Sequence, residues 1–299
     1  MYRFQNMGNG WRGLCILAAV FSLSAFYYSQ EPSGMNPSAG SFHLPQPFSQ
    51  FSAGDIYATV FPGFDRTTGR VPYILNEQKQ PSLVRLNQAR FWKSGGENYL
   101  VVMVDIGGYD EQFGIPGSCG VCASTSPIAV LKVQDGKLKL VAKQDDEFYS
   151  SKNGEDNSTG FESFWYTGHD YDISFDLAPY RLNSKELLIG LRYQHMWIPA
   201  YSFSTTLLLY RIEGKRIRKV FEDLAIERGW YNGPAPQLKM EKTTSTYITR
   251  PTNEQFNKII VNRKTRKCIA DWDTYDCDGG KLIGTKQETW TFDGTRFGK

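Results

Sequence analysis

The residues best suited to chemistry in this chain are two pairs of cysteines and one stretch that crowds aromatic rings, acids and a histidine together. Cys119 and Cys122 stand in Cys-Gly-Val-Cys, the spacing of dithiol oxidoreductases. That chemistry needs a thiolate at the start of a helix, where the dipole lowers its pKa. The surrounding GIPGSCGVCAST is rich in turn formers, and Pro127 then opens an apolar run, so no length remains for a helix. The spacing predicts a structural loop disulfide. Adding Cys268 and Cys277 would gather four sulfurs, but the gap between those two is not that of a zinc knuckle, and no metal is expected there. Asp271, Asp273, Asp276 and Asp278 precede Gly279-Gly280. A calcium loop wants acids at alternate positions and a bidentate Glu beyond them, and the step from Asp273 to Asp276 breaks that alternation. A solvated turn stapled by a disulfide is the simpler expectation.

The crowded stretch is FESFWYTGHDYDISFD, residues 161–176. Trp165, Tyr166 and Tyr171 supply contact area at low entropic cost, and His169, Asp170 and Asp172 supply a charged rim. A second cluster, HMWIPAY, contributes His195 and Trp197. These eight residues are the candidate binding surface, for another protein or a glycan. The competing reading makes the same rings the core of an aromatic-rich sheet. Catalysis is poorly specified. The chain has three histidines, His43, His169 and His195, and no G-x-S-x-G elbow, H-E-x-x-H helix or phosphate-cradling glycine loop. No catalytic residue and no cofactor is assigned. A secreted hydrolase of glycans or esters, using acids of 161–176, is the alternative, because such sites assemble from distant positions.

The elements that must position these groups read as mainly β. Asn98–Ile106 (NYLVVMVDI) is a continuous apolar run, as in a strand buried on both faces. IAVLKV and KLKLVAK flank Gln134-Asp135-Gly136, while TTLLLYRI and KRIRKVFE flank Glu213-Gly214, the pattern of tight hairpins. Alternation sends Leu138, Leu140 and Ala142 to one face and Lys137, Lys139 and Lys143 to the other. Ser82–Trp92 leans to strand, because Ser94-Gly95-Gly96-Glu97 looks like a turn into the next one. The tail repeats this grammar weakly as ETWTF, Asp293-Gly294 and TRF. Little helix is expected; Glu222–Arg228 (EDLAIER) is the main helical candidate. Gly136, Gly214 and Gly294 lie 78 and 80 residues apart, which suggests a repeat of about 80 residues. The fold class is antiparallel sheets built from repeated hairpins, as a sandwich or a propeller-like arrangement. The phrase FDLAPYR, residues 175–181, is distinctive but points to no activity.

Composition bounds the setting. At 299 residues, 40% apolar and 22% charged, the chain suits a globular protein, and 14% aromatic content favours sheet. A net charge of +3 with no basic stripe argues against a nucleic-acid partner. Residues 1–28 read as a secretory signal: Arg3 and Arg12, the apolar run Leu14–Tyr28, and small residues that place cleavage near Ser24. The run is short for a membrane span, and an uncleaved anchor is the alternative. Residues 29–54, rich in Pro, Ser and Gly, read as a flexible tether, and 55–299 as one large β domain. Without Cys15, four cysteines remain, an even count that in an exported chain reads as a disulfide framework; local pairing joins Cys119 to Cys122 and Cys268 to Cys277. The expectation is a periplasmic or secreted binding protein whose partner is a protein, such as a toxin or envelope enzyme that it inhibits, or a glycan. No membrane span is expected after signal cleavage.

Overall fold

A computed structural model describes residues 44–72, 81–107, 124–144, 173–197, 202–231, 239–269 and 279–299. The first element is a helix, α1 (Ala53–Val60). Ser52 and Asp55 close its first turn reciprocally: the Ser52 hydroxyl accepts from the Asp55 N–H, and the Asp55 carboxylate accepts from the Ser52 N–H at 2.8 Å. Ile56, Tyr57 and Val60 are its buried side. Strands follow: β1 (Arg70–Val71), β2 (Ser82–Ser94), β3 (Glu97–Gly107), β4 (Ser124–Thr125), β5 (Ile128–Gln134), β6 (Lys137–Lys143) and β7 (Ile173–Asp176). The second half holds β8 (Ile189–Trp197), β9 (Ser202–Glu213), β10 (Arg216–Tyr231), β11 (Lys239–Arg250), β12 (Lys258–Ile269), β13 (Lys281–Phe292) and β14 (Phe297–Gly298). Nearly all pairings are antiparallel, so the fold is mainly β with little helix.

Eight strands close into a ring. Ladders join β2–β3–β5–β6 on one side and β7–β8–β9–β10 on the other. One seam is a single parallel pairing, Arg216 with Lys143. The other seam is one side chain. Gln88 of β2 donates to the Ile173 carbonyl and accepts from the Phe175 N–H, so its amide stands in for a strand between β2 and β7. Every strand of the ring sends a residue inward: Trp92, Val101, Val130, Ala142, Ile173, Leu191, Tyr210 and Ile217 share one apolar cluster. Each fully buried aliphatic side chain there contributes about 1.5–3 kcal/mol of transfer free energy.

The outer faces are covered as well. Leu100, Val102, Val104, Ala129 and Leu131 point outward and pack under α1 with Phe48 and Ile56. On the opposite wall Leu207, Leu209 and Phe221 pack against Ile259, Val261 and Phe297. β3 is therefore apolar on both faces, as its continuous run requires. The two-residue turns Gly95-Gly96 and Asp135-Gly136 place both members at positive φ, the geometry of a tight hairpin. The β9–β10 turn likewise has Gly214 at φ 62.

Several expectations need correction. Glu222–Arg228 is not helical: it is strand within β10, and Glu222, Asp223, Leu224, Glu227 and Arg228 pair with β9. Its apolar spacing is too short to separate the two states, and the β9 ladder decides. The packed chain begins at least as early as Leu44, with Phe48 fully buried, so residues 44–54 are not a tether. The β6 alternation fails midway. A bulge at Val141 sets Leu140 outward at 38% exposure while Ala142 is fully buried. The strands flanking Gly136, Gly214 and Gly294 differ in length, and the last turn spans four residues between Phe292 and Phe297.

Candidate functional site

The stretch FDLAPYR is a folding device. The Asp176 carboxylate accepts from the Tyr180 hydroxyl at 2.9 Å, from Arg192 Nε at 2.7 Å and from the Ala178 N–H. Burial and the adjacent Asp176 charge push the Tyr180 pKa up. The loop then needs Gly190 beside it, since a Cβ there would collide with the Asp176 carbonyl oxygen and the Tyr180 ring. Tyr180 and Leu182 are buried, which leaves Arg181 between them facing solvent. Asn183 accepts from the N–H groups of Lys185 and Glu186, and Asn257 fixes the Leu182 and Arg181 carbonyls.

This loop faces the β2–β3 turn and encloses a notch of about 470 Å³, lined by Lys93, Gly95, Gly96, Arg181, Ser184, Lys185 and Leu187. Among the described residues three cations line it and no acid does. Glu186 is turned away, its carboxylate held by Arg211 at 2.7 Å. Lys93, Arg181 and Lys185 make no ion pair with any described residue.

The second open surface is an edge. Beyond the ring, β10, β11, β12 and β13 continue as a long ribbon. β13 pairs with β12 on one side; on the other, β14 covers only Thr291 and Phe292. Residues 281–290 therefore present an unpaired strand edge among the described residues, with Leu282 and Ile283 46% and 43% exposed. Lys281 and Lys286 flank them. An extended second strand could pair along this edge. Where ribbon meets ring, Arg263 binds Asp223 and Glu288 and also donates to Ser245 Oγ at 2.8 Å. Hydrogen bonds from Lys286 and Lys299, and then from Arg263, hold the Glu288 pKa down at about 2. The Asp223 carboxylate also accepts from Tyr247, whose pKa burial raises.

The sequence-based candidates fall mostly elsewhere. Trp165, Tyr166, His169, Asp170, Tyr171 and Asp172 lie outside the described residues, as do Cys119, Cys122 and Cys277. His195 and Trp197 sit on β8, where their backbones pair with Ser204 and Ser202; their side chains are not described. Cys268, on β12, is disulfide-bonded. The acids Asp105, Asp176, Glu186 and Asp223 each hold an arginine: Arg85, Arg192, Arg211 and Arg263. No helix among the described residues is long and apolar enough to cross a membrane. The notch escaped sequence reading because Lys93 and Arg181 are far apart in the chain. Its one local signal is Arg181 and Lys185 astride the Asn183-Ser184 turn. No family model, curated protein or solved structure matches the chain.

Proposed function

We propose that this chain is an exported, disulfide-bonded binding protein that acts by contact with another protein, seating an extended segment of it along β13. The observation that carries the proposal is the free edge of residues 281–290 with Leu282 and Ile283 exposed on it. A long, partly apolar edge is a liability unless it is covered, and a partner strand covers it. Lys281, beside Leu282 at the start of the edge, favours a segment that carries an acid opposite it. The composition of the aromatic stretch at Trp165, Tyr166, His169, Asp170, Tyr171 and Asp172, with His195 and Trp197, supports contact with a protein partner as well.

The disulfide at Cys268 supports an oxidising compartment, the periplasm or the exterior, reached through a signal over residues 1–28. In this reading Cys268 pairs with Cys277 and Cys119 with Cys122. The partner is a toxin or an envelope enzyme that the protein restrains. The test is capture of that partner from an envelope extract, repeated with Leu282→Asp/Ile283→Asp and with Trp165→Ala/Tyr171→Ala. Each double variant is expected to weaken capture about tenfold or more while thermal stability stays nearly unchanged. Capture that is undiminished in both variants would remove the basis for the proposal.

A further inference from the structure

The cationic notch is independent of the β13 edge, and the geometry points to a second site: a receptor for one tetrahedral oxyanion, a phosphate or sulfate monoester on a small polar body. The three charges come from two places in the chain. Lys93 is the penultimate residue of β2, and Arg181 and Lys185 belong to the loop between β7 and β8. Three cations converging on one hollow repel each other, and only a bound anion or salt relieves that. The two described acids nearest in sequence, Glu186 and Glu97, are not among its lining residues. Glu186 sits between Lys185 and Leu187 in sequence, yet Arg211 and Asn183 hold its carboxylate. Glu97 follows the glycine turn and is not part of the lining.

The hollow is also built rather than incidental. Buried Tyr180 and Leu182 force Arg181 outward, and Asn257 holds the Arg181 carbonyl at 3.1 Å. Asn183 Oδ1 holds the Lys185 N–H at 2.9 Å, so Lys185 starts from a fixed backbone. The facing wall is two glycines at φ 60 and 86, in a two-residue turn that leaves room for a ligand. A Cβ at Gly95 would stand 3.9 Å from the Lys185 carbonyl oxygen, which brings turn and loop close together. Arg181 offers the planar fork that matches an oxyanion bidentately; Lys93 and Lys185 add point charges, and Ser184 adds a hydroxyl donor. Among the described lining residues Leu187 is the one apolar side chain, which suits a ligand whose body is polar. The volume suits a sugar-sized body.

The test is calorimetric titration of the intact protein at low salt. The probes are inorganic phosphate, inorganic sulfate, glucose 6-phosphate, glucose 6-sulfate and, as a carboxylate control, glucuronate. Saturable binding of a phosphate or sulfate probe in preference to glucuronate is expected. Whether the free ions or the sugar esters bind more tightly identifies the source of the anion. Arg181→Gln/Lys185→Gln should weaken binding about tenfold or more, whereas Lys132→Gln/Lys137→Gln, on the β5–β6 hairpin, should leave it unchanged. Circular dichroism melting confirms that both variants fold. Absence of saturable binding with every probe, or affinity unchanged in Arg181→Gln/Lys185→Gln, overturns the site.

Discussion

Replacing Gln88 by Leu removes the side chain that joins β7 to β2 without changing the volume of the site much. Two hydrogen bonds disappear: the one donated to the Ile173 carbonyl, and the 3.2 Å bond accepted from the Phe175 N–H. Ile173 is only 7% exposed, so its carbonyl has little access to replacement water. Each bond contributes about 1 kcal/mol net, and a buried partner left unsatisfied costs about 1–3 kcal/mol. The expected loss is about 2–4 kcal/mol, or roughly 3–8 °C in Tm for a chain of this size. Urea and thermal unfolding measure the loss. Amide exchange at Phe175 localises it, and should accelerate about tenfold or more once its acceptor is gone. Gln88→Glu sharpens the test. Its carboxylate still accepts from Phe175 but faces the Ile173 carbonyl with no proton to donate. Stability should fall at neutral pH and return as pH falls towards about 4.3, because the carboxyl facing a carbonyl protonates above the ordinary Glu value and can then donate. A Gln88→Leu protein with Tm within about 2 °C of the parent and Phe175 still protected would show that the ring does not close through this amide.

Two further outcomes follow from geometry already described. Gly190→Ala places a methyl against the Asp176 carbonyl and the Tyr180 ring, and should cost about 3 kcal/mol or more, read by urea unfolding. Glu288, held at about pKa 2 by Lys286, Lys299 and Arg263, contributes stability that is fully present above its ordinary pKa of 4.5. That contribution is lost as pH falls from 4.5 towards 2. Glu288→Gln should therefore be the less stable protein at pH 7, with the two stability curves converging near pH 2.

Much of the sheet was legible because its signals are local. Gly95-Gly96 and Asp135-Gly136 occupy positive φ in two-residue turns, and few other residue pairs tolerate that. The apolar run of β3 could only be a strand covered on both sides. What failed was non-local or a single-residue effect. Helix α1 spans eight residues, with Ile56, Tyr57 and Val60 its whole buried stripe, and such a short pattern is easily lost beside a Pro- and Ser-rich stretch. The bulge at Val141 leaves no compositional mark. Nothing about Gln88 in sequence marks it as the closure of a ring. The notch draws Lys93 and Arg181 from opposite sides of the chain, so its charge exists only after folding. The aromatic stretch was conspicuous in sequence for its composition, and the structure describes Ile173–Asp176 at its end.

The strand β10 belongs to both halves of the architecture. From Arg216 to Arg228 it pairs with β9 in the ring wall, and from Ile226 to Tyr231 it pairs with β11 in the ribbon. No loop separates wall from ribbon along this strand, so no pivot residues are available there to let one swing against the other. Arg263, gripping Asp223 on β10 and Glu288 on β13, braces the same junction. The outer strand is thus carried at a fixed bearing, like a rail bolted to its wall. A polypeptide that docked there, as proposed, would meet an already aligned row of amides and carbonyls and would give up only its own freedom.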